Sequence, residues 1–354
     1  MPYPLELLCI GNAVVDVFAD ANSAWLDTLG LTEPLQHISR GQAQQILNTL
    51  TGSADAVPVL CSGGGAANAA KIAAMLNVKT VFAGCVGAAG ANDDNLPGIF
   101  IKDLRTAGVF PLLNEGTEKT GVCFIFNCGN ETRIAAAPGA ALEFSECHVP
   151  EDLVAKAEAI MLDGYMLDRR PLVQHILQLA NRRGIPIALD AASVFQIKEK
   201  TEDILQYSRN YPLIVFMNAD ESIVFYNTIK KSREKMDFSD EREKEALILR
   251  DICPVLKYIT EGELFPIIVI KLGGGGVAVL AGGNIYREET FTIIPRNTVG
   301  AGDAFGAAFL SAWIRGKSIR ECAALGNKVA REVLMVPGTG IKKEKLKKFA
   351  KYLR

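Results

Sequence analysis

The chain has 354 residues, 49% of them hydrophobic and 22% charged, which is the length and composition of a globular protein with a sizeable buried core. Its formal net charge of -2 gives no electrostatic reason to expect nucleic acid or an anionic membrane as a partner. A small-molecule substrate is the expected partner.

The first twenty residues, MPYPLELLCIGNAVVDVFAD, read as a buried strand and not as a signal peptide. No basic segment precedes the apolar run, and Gly11, Asn12 and Asp16 interrupt it. No stretch of about 18 uncharged apolar residues follows anywhere, so no membrane span is expected. Eight cysteines without a C-x-x-C pair suit reduced thiols and a cytoplasmic location. His37, His148 and His175 stand at no metal-ligand spacing, so no zinc site is expected.

Residues 12–40 and 109–140 break the rhythm of the rest. Within the second, TGVCFIFNCGNETRIAAAPGA places a turn between two strand-like runs, and the two segments together read as a discontinuous β lid. From about residue 157 the pattern is regular. The run AEAIMLDGY is followed by a helical stretch with Leu172, His175, Ile176 and Leu179 on one face, Gly184 as its stop, and the strand IPIALD. The runs YPLIVFMN and FPIIVIKLGG repeat the continuous apolar strands of a parallel sheet covered on both sides. The expected fold class is therefore α/β, in a single domain over residues 1–354. Residues 229–245 carry charges of both signs and read as a solvated helix or loop.

Four glycine clusters, Gly63–Gly65, Gly273–Gly276, Gly282–Gly283 and Gly300–Gly302, follow different logics. Gly282–Gly283, between two strand-like runs, read as a hairpin turn. Gly63–Gly65 precede AANAAKIAAMLN, and Gly300–Gly302 precede DAFGAAFLSAWIRG, so both are loops feeding helix N-termini. Unpartnered N–H groups at a helix start carry about half a positive charge, and glycine lets an anion approach them closely. A phosphate site follows, although neither a P-loop nor a dinucleotide fingerprint is present. Asp303, directly after Gly300–Gly302, is either a helix-dipole acid or a general base beside an anion hole.

The stretch NTVGAGDAF resembles the C-terminal signature of the PfkB, or ribokinase-like, family of sugar and nucleoside kinases, usually D-T-x-G-A-G-D. GNAVVD (Gly11 to Asp16), GGGAAN (Gly63 to Asn68), NADE (Asn218 to Glu221), KLGGGG (Lys271 to Gly276) and GNKVAREVLMVPG (Gly326 to Gly338) occur in family order over nearly the whole chain. The resemblance implies a three-layer α/β/α fold with a mostly parallel sheet and a small β lid, and transfer of phosphate from ATP, with Mg2+, to a primary hydroxyl. It implies Asp303 as base, Gly300, Ala301 and Gly302 as anion hole, and Asp16, Gly63, Gly64 and Asn68 as substrate-binding residues. Asn218 and Glu221 would organise magnesium through water, with Lys271, Gly273 and Gly276 near the nucleotide and Asn327 lining the adenine pocket. Arg133, in a lid strand, could reach phosphate or be solvated.

Three departures stand out. Asn297 replaces the usual Asp, which leaves use of a monovalent cation open. Ala88 replaces an acid after GCVG, and the chain between Glu221 and Lys271 is long for the family. The pattern is similar to the adenosine-kinase-like branch, which also contains sugar kinases. The expected activity is phosphorylation of a sugar, with a nucleoside as alternative acceptor and a non-catalytic sensor as a second alternative; the assembly is a monomer or a homodimer. A nucleoside would need a platform for its base, for which Phe18, Trp25, Phe124 and Phe126 are available, although core burial is their commoner fate.

Overall fold

Seven strands, most of them short apolar runs, form the parallel body of one large sheet in the computed structural model, which describes residues 5–52, 58–88, 95–129, 131–231, 240–260, 266–296, 298–336 and 341–353. The strands, in chain order, are β1 (Leu7–Ile10), β2 (Val14–Asp20), β3 (Leu35–His37), β4 (Val59–Gly63), β5 (Thr80–Gly87), β6 (Phe110–Gly116), β7 (Thr120–Cys128) and β8 (Glu131–Gly139). They continue as β9 (Ala159–Asp163), β10 (Ile187–Asp190), β11 (Leu213–Asn218), β12 (Ile267–Lys271), β13 (Val277–Ala281) and β14 (Asn284–Glu288). The large sheet has the order β14-β13-β12-β11-β10-β9-β1-β5-β6, antiparallel only at β13 and β14.

Alternate residues of each central strand point to opposite layers. Leu7 and Cys9 join one core with the helices Gly65–Met75, Ala301–Ile314 and Ile319–Leu334. Leu8 and Ile10 join the other, with Arg170–Asn181, Val194–Asn210 and Ala219–Lys230. Burial on both faces explains why β1, β9, β10, β11 and β12 read as unbroken apolar runs. Gly282 and Gly283, at φ +53° and +69°, make the two-residue turn from β13 to β14.

A second sheet, β3-β8-β7-β2-β4, is built from the segments that broke the rhythm. Its bounds differ from the expected lid at two places. Phe110–Gly116 pairs with β5 in the large sheet, and Val59–Gly63, outside both expected segments, pairs with β2 in the small one. Register separates its two faces. Val15, Val17, Val122, Phe124, Phe126, Ala135 and Ala137 are buried in the core, whereas Asp16, Cys123, Ala136 and His37 form one row on the opposite face.

The helices Ala301–Ile314 and Ile319–Leu334 pack closely because Gly326 faces the ring of Phe305. A methyl group at Gly326 would stand 2.6 Å from Phe305 Cε2. Gly326→Ala is expected to cost about 1–3 kcal/mol by overpacking and to lower Tm by ~1–4 °C in a thermal melt. Of the charged run 229–245, residues 232–239 lie outside the described residues. Its described end is helical over Glu241–Leu247, where Lys244 meets Asp220 at 3.0 Å and Glu241 at 2.8 Å.

Candidate active site

Four neighbouring strands each end on a polar side chain. Asp163 closes β9, Asp190 closes β10, Asn218 closes β11 and Lys271 closes β12. The register sets Asp190 beside Asp163 and Asn218 beside Lys271. Ligands of open α/β sheets bind at this carboxyl edge.

Two helix N-termini meet above it. Gly64, at φ +88°, starts the helix Gly65–Met75, and Gly300, at φ +81°, starts Ala301–Ile314. Only glycine adopts such a left-handed entry without strain. The two ends are so close that a Cβ on Gly65 would lie 3.2 Å from Asp303 Oδ1. Gly300, Ala301, Gly302 and Asp303 are all partly open to solvent, and the N–H of Ala301 makes only a long 3.4 Å bond to Thr298 O, so this helix start faces an approachable space.

Asp303 Oδ2 accepts from Asn68 Nδ2 at 3.0 Å. Burial, reinforced by the charges of Asp190 and Asp163, pushes its carboxyl up to about 7, against the Asn68 bond and Lys271. A carboxylate poised there can hold or release a proton near neutral pH. The amide of Asn68 is buried, and its Oδ1 has no hydrogen-bond partner among the described residues.

Lys271 Nζ donates to Asp190 Oδ2 at 2.9 Å and lies beside Gly302, where a Cβ would stand 3.1 Å away. Burial opposes its charge, but Asp190, Glu221 and Asp303 outweigh that and push its pKa up. Glu221 is raised to about 7 by burial and by Asp190. With Asn218 it forms a capping box: Glu221 N–H donates to Asn218 Oδ1 at 2.8 Å, and Asn218 N–H donates to Glu221 Oε2 at 2.7 Å. The helix-start reading of NADE is thus physically present.

Asp16 is buried on the small sheet, its carboxylate packed against Gly63 so tightly that any Cβ there would overlap it. Burial pushes its carboxyl up to about 7, with Lys71 opposing and Asp103 assisting. Gly273 and Gly276, at φ +58° and +90°, turn the chain from β12 into β13, where Leu272 N–H donates to Gly276 O at 2.8 Å. Asn327 lies by the end of β14, its amide donating to Glu288 O at 3.2 Å and Glu289 O at 3.4 Å.

Arg133 does not reach the site. Register puts it opposite Phe126, on the core-facing side, and its Nη1 is bound to Asp27 Oδ1 at 2.6 Å and Leu31 O at 2.8 Å. Phe124 and Phe126 are fully buried on that same side and offer no platform to a ligand, whereas register turns Phe18 toward the Asp16 face. Asn297, residues 89–94 after Ala88 and residues 337–340 lie outside the described residues.

Sequence reasoning missed Asp163 and Asp190. Asp163, raised to about 6 by burial, caps its own turn by accepting from Tyr165 N–H at 3.0 Å. An acid after an apolar run reads as a turn residue, and the available signal was the series AIMLD, IALD, IVFMN and IVIK, each ending on a polar group.

Comparison with known proteins agrees with the fold. The chain superposes on the crystal structure of adenosine kinase from Sinorhizobium meliloti with a TM-score of 0.79, 24% identity and 99% coverage of both chains. It is 24% identical to an adenosine kinase of Schizophyllum commune, over 92% of this chain and 94% of that one. It is also 24% identical to the 5-dehydro-2-deoxygluconokinase of Bacillus subtilis, over 77% and 80% of the two chains. The model of the pfkB family carbohydrate kinases matches residues 58–346, and the chain belongs to that family of phosphotransferases.

Proposed function

We propose that this chain transfers the γ-phosphate of ATP to a primary hydroxyl of a sugar, with Asp303 as general base. The observation that carries this reading is the Asp303–Asn68 pair: a carboxylate near neutrality beside an orphaned buried acceptor, at the meeting of two glycine-led helix starts. Asn68 Oδ1 needs a donor, which an acceptor hydroxyl supplies, and Asp16 accepts hydroxyl bonds from the same sugar. The amides of Gly300, Ala301 and Gly302 receive the negative charge of the transferring group, with Lys271 beside them. Asp303 takes the hydroxyl proton as the new oxygen–phosphorus bond forms and the bond from the γ-phosphorus to the β-phosphate oxygen breaks, so that ADP leaves.

Among the described residues no three His, Cys, Asp or Glu side chains converge as a ready-made metal cage. Mg2+ keeps several waters and needs only one or two carboxylates of the protein. Glu221 fits such a hydrated ion, since its cap bond uses Oε2 and leaves Oε1, and its raised carboxyl sits among other acids. The ion, when bound, would neutralise phosphate charge. Asn218 would act by holding Glu221 in place.

A nucleoside acceptor is the second reading. Phe18, Ile125 and Ile134 share the Asp16 face of the small sheet and offer apolar surface to a base, and adenosine kinases are among the relatives over nearly the full chain. The test is substrate-dependent ADP release from ATP over a panel of free sugars and nucleosides. Release with a free sugar supports the first reading, release with a nucleoside alone supports the second, and thermal stabilisation without turnover contradicts both.

A further inference from the structure

One turn of helix beyond Asn68 lies a lysine that the phosphoryl transfer does not use. Lys71 is 5% exposed, a depth at which lysine is found only when paired. Its Nζ donates to Ser62 O at 2.7 Å and to Asp103 Oδ2 at 3.3 Å. The same Asp103 oxygen accepts from Ser62 N–H at 2.9 Å and from Ser62 Oγ–H at 2.6 Å. Ser62 therefore joins β4, the helix Gly65–Met75 and the helix Leu96–Ala107 at one point.

The neighbours of Ser62 both face Asp16. Gly63 packs against its carboxylate, and Cys61 is its partner in the β2–β4 register. We propose that Lys71 is a positioning residue for acceptor binding: through Ser62 and Asp103 it fixes the Gly63 turn against Asp16, the group that accepts the hydroxyl bonds. This rests on the reading of Asp16 as an acceptor ligand.

The groups facing Asp16 come from four elements. Lys71 favours the carboxylate and Asp103 opposes it. The Cys123 thiol on β7 is raised well above its ordinary range by burial and by Asp16, so it stays neutral, and Cys61 lies across the register on β4. Lys71 is the cation of this set. Loss of its charge and loss of the Asp103 charge must then move Asp16 in opposite directions, which a general loosening of the fold does not do.

The experiment compares Lys71→Met and Asp103→Asn, with Asp16→Asn as reference. It reads kcat and KM for adenosine and for D-ribose, together with a carboxyl 13C NMR titration of Asp16, from about pH 5.5 to 9. Lys71→Met is expected to raise the Asp16 midpoint by about one pH unit, and acceptor KM at neutral pH by about fivefold, with kcat within about threefold. Asp103→Asn, which keeps the shape at Ser62, is expected to lower the midpoint. Midpoints that stay in place, or that move in the same direction, overturn the proposal. Should Lys71→Met fail to fold, the Asp103→Asn titration decides alone: a fall supports the proposal and no fall overturns it. An unchanged KM in Asp16→Asn defeats the reading of Asp16 and the proposal with it, whereas a raised KM there with a silent Lys71→Met defeats the proposal only.

Discussion

Asp303→Asn is expected to lower kcat by about 10²–10⁴-fold, the usual contribution of a general base, while ATP binding measured by calorimetry is retained. In the wild type, activity should rise with pH through about 7, because the base must be deprotonated and its carboxyl is held at about 7. That acid limb should vanish from the residual activity of the variant. The same substitution has a second readout with the opposite sign. The folded value of Asp303 lies above its ordinary 3.8, so the folded chain keeps this proton longer than the unfolded one. The associated stability is present below the ordinary value and is lost as pH rises through about 7. Asn carries no such loss. Relative to wild type, Asp303→Asn should therefore gain Tm between pH 4 and pH 8, a trade of stability for function at a reacting group. A thermal melt at the two pH values checks this, and an equal difference at both contradicts the buried-acid reading.

Gly63→Ala is the second large effect. The added methyl would overlap the Asp16 carboxylate, and neither the β2–β4 ladder nor the Ser62–Asp103 bonds leave β4 an easy retreat. Asp16 must rotate away, and a displacement of about 1 Å at a substrate-positioning group costs roughly 10²-fold. Acceptor kcat/KM should fall by at least about that much, with the KM for ATP within about threefold. An equal loss toward both substrates would mean that the variant has unfolded the site and not displaced one ligand.

The legible parts of this chain were those where one physical pattern dominates. IPIALD and YPLIVFMN are strands because continuous apolar runs are stable only between two layers, and Gly282–Gly283 is a turn because both residues need positive φ. Phe110–Gly116 reads as part of the lid because this edge strand of the large sheet is only partly buried and does not show the closed apolar run of its neighbours. Val59–Gly63 carries a weak strand signal for a related reason: it is short, it starts on an exposed Val59, and its pairing with β2 is long-range.

The site shows the same division. Asp303 and the glycines stood out because small residues before an acid at a helix start have a chemical rationale. Lys71 did not, since a lysine in an alanine-rich helix reads as a solvated residue until Ser62 and Asp103, from other elements, are brought to it. Asp190 was equally silent. Its importance comes from Lys271, 2.9 Å away across the sheet, and from its charge acting on Asp303 and Glu221.

The most direct measurement is 31P NMR of the reaction of ATP with the panel of sugars and nucleosides, run with wild type and with Asp303→Asn. Wild type should give a phosphomonoester signal coupled to a CH2 group, with ADP formed in equal amount, and Asp303→Asn should give at least about 10²-fold less in the same time. A product phosphorylated elsewhere than on a primary hydroxyl, or an Asp303→Asn rate equal to wild type, would contradict the assignment of Asp303 as the base of a sugar-hydroxyl kinase.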